Sequence, residues 1–206
     1  METVRTLPYY GKISKKELGR LIGLKVTIIR HFKVDCPPKK MMTSKEFSEW
    51  CIRYDHSPIC EPYSIKTAEN WDSCHSSNMT RASDTAAALY GPAHITPCLR
   101  EIPLSPFLQT SFTLPYFLWI VFGRLAWFFS HSSQSETRKQ SADRADQYIS
   151  ELESQNSRHV LVVSHGFFIS VLSRRLLKHG YTGKRAVRLR NGERIVFVKE
   201  QADDLL

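Results

Sequence analysis

Two histidines and two arginines in this chain stand where they can act on one anionic group. Arg30-His31 follows directly on the apolar run Leu24–Ile29, and His165 follows the run His159–Val163 with one serine between. Arg81 opens the alanine-rich stretch Arg81–Tyr90, which Gly91-Pro92 closes. Ligands of open α/β sheets bind at the carboxyl ends of the strands. A helix start offers an anion free N–H groups and the positive end of the dipole. As parallel neighbours, the two runs bring both histidines to one edge, and Arg81 joins them from a helix start. Arginine forks and histidines around helix starts suit a dianionic tetrahedral group, meaning phosphate. The matching chemistry is phosphoryl transfer. A neutral imidazole attacks phosphorus, guanidinium groups hold the oxygens over which charge spreads, and an acid near the mouth protonates the leaving alkoxide.

The elements that must position these residues follow from periodicity. Leu24–Ile29 and His159–Val163 are short, β-branched and apolar, so they read as buried strands. Helices are predicted over 44–54, 81–90, 136–153 and 167–179. The third has a narrow inner stripe of Ala142, Ala145, Ile149 and Leu152. Glu136 is expected to cap its start, with lining of the pocket mouth as the alternative. A short helix is predicted over 14–22, capped by Ser14 with Glu17 and stopped at Gly23. Asn191-Gly192, between 186–190 and 194–198, predicts a hairpin. Together these give an α/β fold: a three-layer sandwich whose central sheet is mainly parallel, with helices on both faces. Residues 1–23 read as an N-terminal extension and 24–206 as one domain. A variable apolar insertion at about 103–135 lies over the carboxyl edge.

Within that insertion, residues 112–129 are apolar enough to suggest a membrane span. Pro115 and the pair Gly123-Arg124 interrupt the stretch. A charge in mid-span costs roughly 2.5–3.5 kcal/mol on insertion scales, and a span wants about 20 unbroken apolar residues. The segment therefore reads as a buried helix or an active-site lid, with contact to a membrane surface as the alternative.

Four pieces of the chain carry a family resemblance. Ile28-Ile29-Arg30-His31 resembles the Arg-His-Gly signature of the histidine phosphatase superfamily, the phosphoglycerate-mutase-like fold. Ser76–Ala86 resembles that family's second-arginine motif, Leu99-Arg100-Glu101-Ile102 the segment with the proton-donor glutamate, and Val162–Gly166 the second-histidine motif. Order and spacing agree from about Leu24 to Leu177. The resemblance implies His31 as nucleophile, Arg30 and Arg81 as phosphate clamps, His165 as a further catalytic and phosphate-binding residue, and Glu101 as general acid. It implies hydrolysis of phosphomonoesters through a phosphohistidine, with no metal and no cofactor.

The chain departs from the family after the nucleophile, where Phe32 and Lys33 replace the usual glycine and small polar residue. A phenylalanine adopts positive φ only at a cost, so Phe32 is expected to roof and narrow the substrate pocket. Lys33 is expected to stand in electrostatically for the missing polar contact. Two other readings stay open. One is a phosphomutase on the same fold. The other is a catalytically weak module that binds a phosphorylated ligand or a membrane surface. A serine-hydrolase reading of Ser164 fails because the Gly-x-Ser-x-Gly spacing is missing.

Composition supports a single globular domain: 206 residues, 42% hydrophobic and 24% charged. Lys and Arg number 29 against 20 acidic residues, a net charge of +9, which favours anionic partners. The cations form no long run and the aromatics cluster in one stretch, which argues against nucleic acid. The expected partner is a small phosphorylated substrate. Five cysteines, an odd number without a CxxC pair, argue against a disulfide framework and for a reducing, cytoplasmic setting. No pair among Cys51, His56, Cys60, Cys74 and His75 has structural-zinc spacing. The first twenty residues hold no unbroken apolar core of a signal peptide.

Overall fold

A computed structural model describes residues 22–60 and 69–200. A six-stranded sheet runs through it in the order β4-β3-β6-β1-β8-β7, formed by β1 (Ile22–Arg30), β3 (Ser73–Ser77), β4 (His94–Thr96), β6 (His159–Ser164), β7 (Thr182–Gly183) and β8 (Arg194–Glu200). Strands β4, β3, β6 and β1 are parallel neighbours, and β8 and β7 close one side antiparallel. The pairing Arg30↔Ser164 ends β1 and β6 level, so His31 and His165 leave the sheet at the same edge.

Strand alternation divides the core in two. Val26, Ile28, Val160 and Val162 face one side, against α4 (Arg138–Glu153) and α5 (Gly166–Lys178). Ile29, Leu161 and Val163 face the other, against Ala82 and Ala86 of α2 (Thr80–Leu89). Strands buried on both faces read as continuous apolar runs, which is why β1 and β6 are plain in the sequence. The three-layer α/β architecture is as expected.

A third apolar cluster sits over the carboxyl edge. It joins α1 (Ser44–His56), the two-stranded ribbon β2–β5 (Met41–Met42 with Leu114–Pro115) and α3 (Tyr116–Phe128). Phe47 stacks on Trp119 with ring centroids 6.0 Å apart, and Nε1 of Trp119 donates to the carbonyl of Met42 (2.9 Å). Thr43 and Glu46 form a capping box that starts α1. Pro115 stands just before α3, where its missing N–H costs nothing.

Several expectations are corrected. Gly23 lies inside β1, and the helix predicted over 14–22 falls outside the described residues up to Ile22. Gly123-Arg124 does not interrupt α3. A Cβ at Gly123 would lie 2.5 Å from Cδ1 of Leu104, so the glycine allows close packing against the insertion loop. Segment 112–129 is buried along one face of α3 only, and among the described residues no helix is long and apolar enough to cross a membrane. Thr137, not Glu136, caps α4, in a box with Gln140. Asn191-Gly192 does form a turn, but 186–190 is no strand. β8 pairs with β1 and β7 instead, because β1 offers β8 a long open edge.

Candidate active site

Everything around His31 fixes it from the backbone outward. Its N–H donates to the carbonyl of Ser164 (2.9 Å), and its carbonyl accepts Nδ2 of Asn191 (2.9 Å). The turn misread as a hairpin thus buttresses the end of β1, and the amide of Gly192 also donates to the carbonyl of Arg30 (2.9 Å). Gly192 has φ 75°, where glycine carries no steric penalty. In the side chain, Nδ1 of His31 lies 2.7 Å from the carbonyl of Phe32. A carbonyl only accepts, so Nδ1 carries the proton and Nε2 presents a lone pair. Nε of Arg81 donates to that Nε2 (3.3 Å).

The imidazoles of His31 and His165 lie 5.1 Å apart, both buried. Burial, then the positive fields of His165 and Arg81, holds His31 well below the ordinary histidine value. His165 is depressed for the same reasons, burial first and then Arg81 and Arg30. Both rings are therefore neutral near pH 7. Nε2 of His165 meets Oγ of Ser77 (2.8 Å), and that Oγ accepts the amide of Met79 (3.2 Å). Nδ1 of His165 is buried without a partner among the described residues.

The two arginines are held differently. Nη1 of Arg30 donates to the carbonyl of Leu189 (2.7 Å), while its buried Nε has no partner among the described residues. A Cβ on Gly166 would stand 2.9 Å from the guanidinium carbon of Arg30, so only glycine lets α5 begin there without moving it. Arg81 is buried, packs over the ring of Tyr54 (5.1 Å), and Nη1 donates to Asp55 (2.9 Å). A carboxylate thus rests on the guanidinium as a phosphate oxygen would. Burial pushes the Tyr54 phenol up, against the opposing pull of Arg81 and Arg30.

Glu101 stands at the start of α5. Its Oε1 accepts the amides of Ile102 and Phe168 (both 2.9 Å), and its Oε2 accepts that of Phe167 (3.1 Å). The N-terminus of α5, expected to receive an anion, thus gives two amides to this carboxylate. Oε2 retains one free lone pair, where a proton can sit. Buried Glu136 accepts from Nη2 of Arg144 (2.8 Å), and Nη1 of Arg144 holds the carbonyls of Cys98 and Arg100 (both 2.8 Å). Nη1 of Arg124 in α3 holds that of Ile102 (3.1 Å). Glu136 therefore acts on the Glu101 segment through Arg144.

Phe32 is buried. Its amide donates to Oγ1 of Thr85 (2.9 Å), and its ring borders Gly192, 3.4 Å from where a Cβ there would stand. Ser130 is the one non-glycine residue with positive φ among those described, so Phe32 follows His31 without backbone strain. The side chain of Lys33 is exposed. Ser164 is buried and donates to the carbonyl of Leu99 (2.7 Å), which engages its hydroxyl in the core.

The model of the histidine phosphatase superfamily (branch 1) matches residues 64–203, more than half of the chain. The chain belongs to this superfamily. The match contains Arg81, Glu101 and His165 and begins beyond Arg30-His31. No curated protein matches the chain in sequence. Among solved structures, the mycobacterial glucosyl-3-phosphoglycerate phosphatase is similar at TM-score 0.55 and 20% identity, over 87% of this chain and 97% of the other. The phosphoserine phosphatase of Entamoeba histolytica in complex with 3-phosphoglyceric acid is similar at TM-score 0.58 and 15% identity, over 87% and 95%. At these identities the likeness is one of fold. Within the histidine phosphatase frame, sequence reasoning missed Tyr54, Asp55, Ser77 and Asn191 as site neighbours. Tyr54 and Asp55 are ordinary residues at the end of a helix, and only the folded chain brings them to Arg81.

Proposed function

We propose that the chain hydrolyses phosphomonoesters through a phosphohistidine on His31. The observation that carries this reading is the fixed tautomer of His31, whose lone pair on Nε2 lies among Arg81, Arg30 and His165. Phosphate oxygens take over the guanidinium of Arg81 from Nε2 and from Asp55. Arg30 and His165 serve the remaining oxygens. Nε2 then attacks phosphorus, the bond to the alcohol oxygen breaks, and Glu101 gives that oxygen a proton from Oε2. In the second half Glu101 takes a proton from water, which attacks the phosphohistidine and releases phosphate.

The test is hydrolysis of an aryl phosphate with chelator present, beside His31→Ala. Turnover by the wild type, its loss in the variant by at least about a thousandfold, and an acid-labile, base-stable phosphate on His31 support the reading. Equal rates in the two proteins overturn it.

A further inference from the structure

The helix α3 is apolar on both faces but buried on one. Trp119, Gly123, Ala126 and Trp127 face inward. Phe117, Val121, Leu125 and Phe128 form an outward ridge, each about half exposed, with Phe129 beside it at 76%. A helix apolar all round is ordinarily covered. Thirteen residues span only about 20 Å, which suits lying in an interface and not crossing one.

The end of this ridge runs into a basic strip. The guanidinium of Arg138 lies 4.7 Å over the ring of Phe128. Arg174 of α5 sits in the positive fields of Arg185 and Arg138. Segment 184–190 exposes Lys184, Arg185, Arg188 and Arg190, none in an ion pair among the described residues. Val187 stands among them 82% exposed. The strip ends at the carbonyl of Leu189, which holds Arg30. The ridge thus meets the cations at Arg138, and the strip adjoins the candidate active site where Arg30 meets Leu189.

We propose that the α3 ridge and the 184–190 strip together seat the protein on an anionic lipid surface, with the candidate active site beside the headgroups. Aromatic side chains enter the interfacial layer while the arginines meet lipid phosphates. A second copy of this chain is a poorer occupant, because it brings a like-charged strip to the same face. The inference does not depend on the phosphatase reading.

The test is flotation of the full chain with phosphatidylcholine vesicles, with and without phosphatidylglycerol. Binding is expected only with phosphatidylglycerol, weakening as salt rises. Phe117→Ser with Leu125→Ser, and separately Arg185→Glu with Arg188→Glu, are expected to weaken it by about tenfold or more. All four side chains are exposed, and thermal melts matching the wild type will show that the variants fold. His31→Ala is expected to float like the wild type, which separates this inference from the catalytic one. No binding, equal binding to neutral vesicles, or variants that bind like the wild type overturn it. A dimer in solution that the ridge variants dissociate also overturns it, assigning the face to a second copy.

Discussion

In the proposed reaction, the carbonyl of Phe32 decides which nitrogen of His31 attacks, and Asp55 decides how readily phosphate reaches Arg81. The carboxylate of Asp55 occupies the Nη1 donor that a phosphate oxygen needs, while Nε of Arg81 covers the attacking lone pair. Substrate must displace both contacts before phosphorus can approach. Asp55 is 47% exposed on its side chain, so its pairing with Arg81 is partly screened. Asp55→Asn removes the competing anion and is expected to lower the inhibition constant for inorganic phosphate by about 2–5-fold, equivalent to about 0.5–1 kcal/mol. Competitive inhibition in the two proteins measures this directly. Weaker phosphate binding by the variant would instead make Asp55 the residue that orients Arg81.

At the scale of elements, the site is the meeting of two level strand ends, two helix starts and one turn. The start of α5 has no room for a side chain at Gly166 because the Arg30 guanidinium fills that space. Gly166→Ala is expected to push the flexible end of Arg30 off the carbonyl of Leu189 and to raise KM by about tenfold, the loss of one charge-assisted hydrogen bond. Melting is expected to fall modestly, because the lost hydrogen bond of Arg30 outweighs the up to about 1 kcal/mol by which alanine favours helix over glycine. Unchanged KM with unchanged melting would remove Arg30 from the clamp. The same scale explains what was legible in the sequence. β1, β6, α2 and α5 declare themselves because burial on a sheet and capping leave local patterns. The Asn191-Gly192 turn was visible too, but its partners were not, because its bonds run to Arg30, His31 and Phe32 at the far end of the chain. Asp55 reaches Arg81 from another helix, and no spacing encodes such a contact. The exposed face of α3 was hidden for a different reason: hydropathy reads which side chains are apolar, and not which of them find a neighbour.

At the scale of the whole molecule, the neutral imidazoles needed for chemistry make the fold sensitive to acid. His31 and His165 are both held well below the ordinary value, chiefly by burial. In the unfolded chain each takes a proton near pH 6.5, while the folded chain refuses it. The unfolded state then binds more protons, so stability rises with pH through this window and levels off above it. Each histidine contributes a slope of up to about 1.4 kcal/mol per pH unit below its unfolded value. Urea unfolding is therefore expected to show a loss of at least about 2 kcal/mol between about pH 7.5 and about pH 5.5, to which His75 and His159, also lowered by burial, add. Carboxylates cannot mimic this. Asp146 is held low by Arg175 and His179 against the cost of burial, so what it contributes is lost at more acidic pH, below the unfolded carboxylate value. His31→Gln keeps a polar side chain in place but cannot titrate, and is expected to make the slope shallower without abolishing it, since His165, His75 and His159 are also held low by burial. A flat profile in the wild type would mean that the two rings accept protons within the fold. His31 would then be cationic in weak acid and unable to attack phosphorus there, and the rate of hydrolysis would fall over the same window with an unchanged melting temperature.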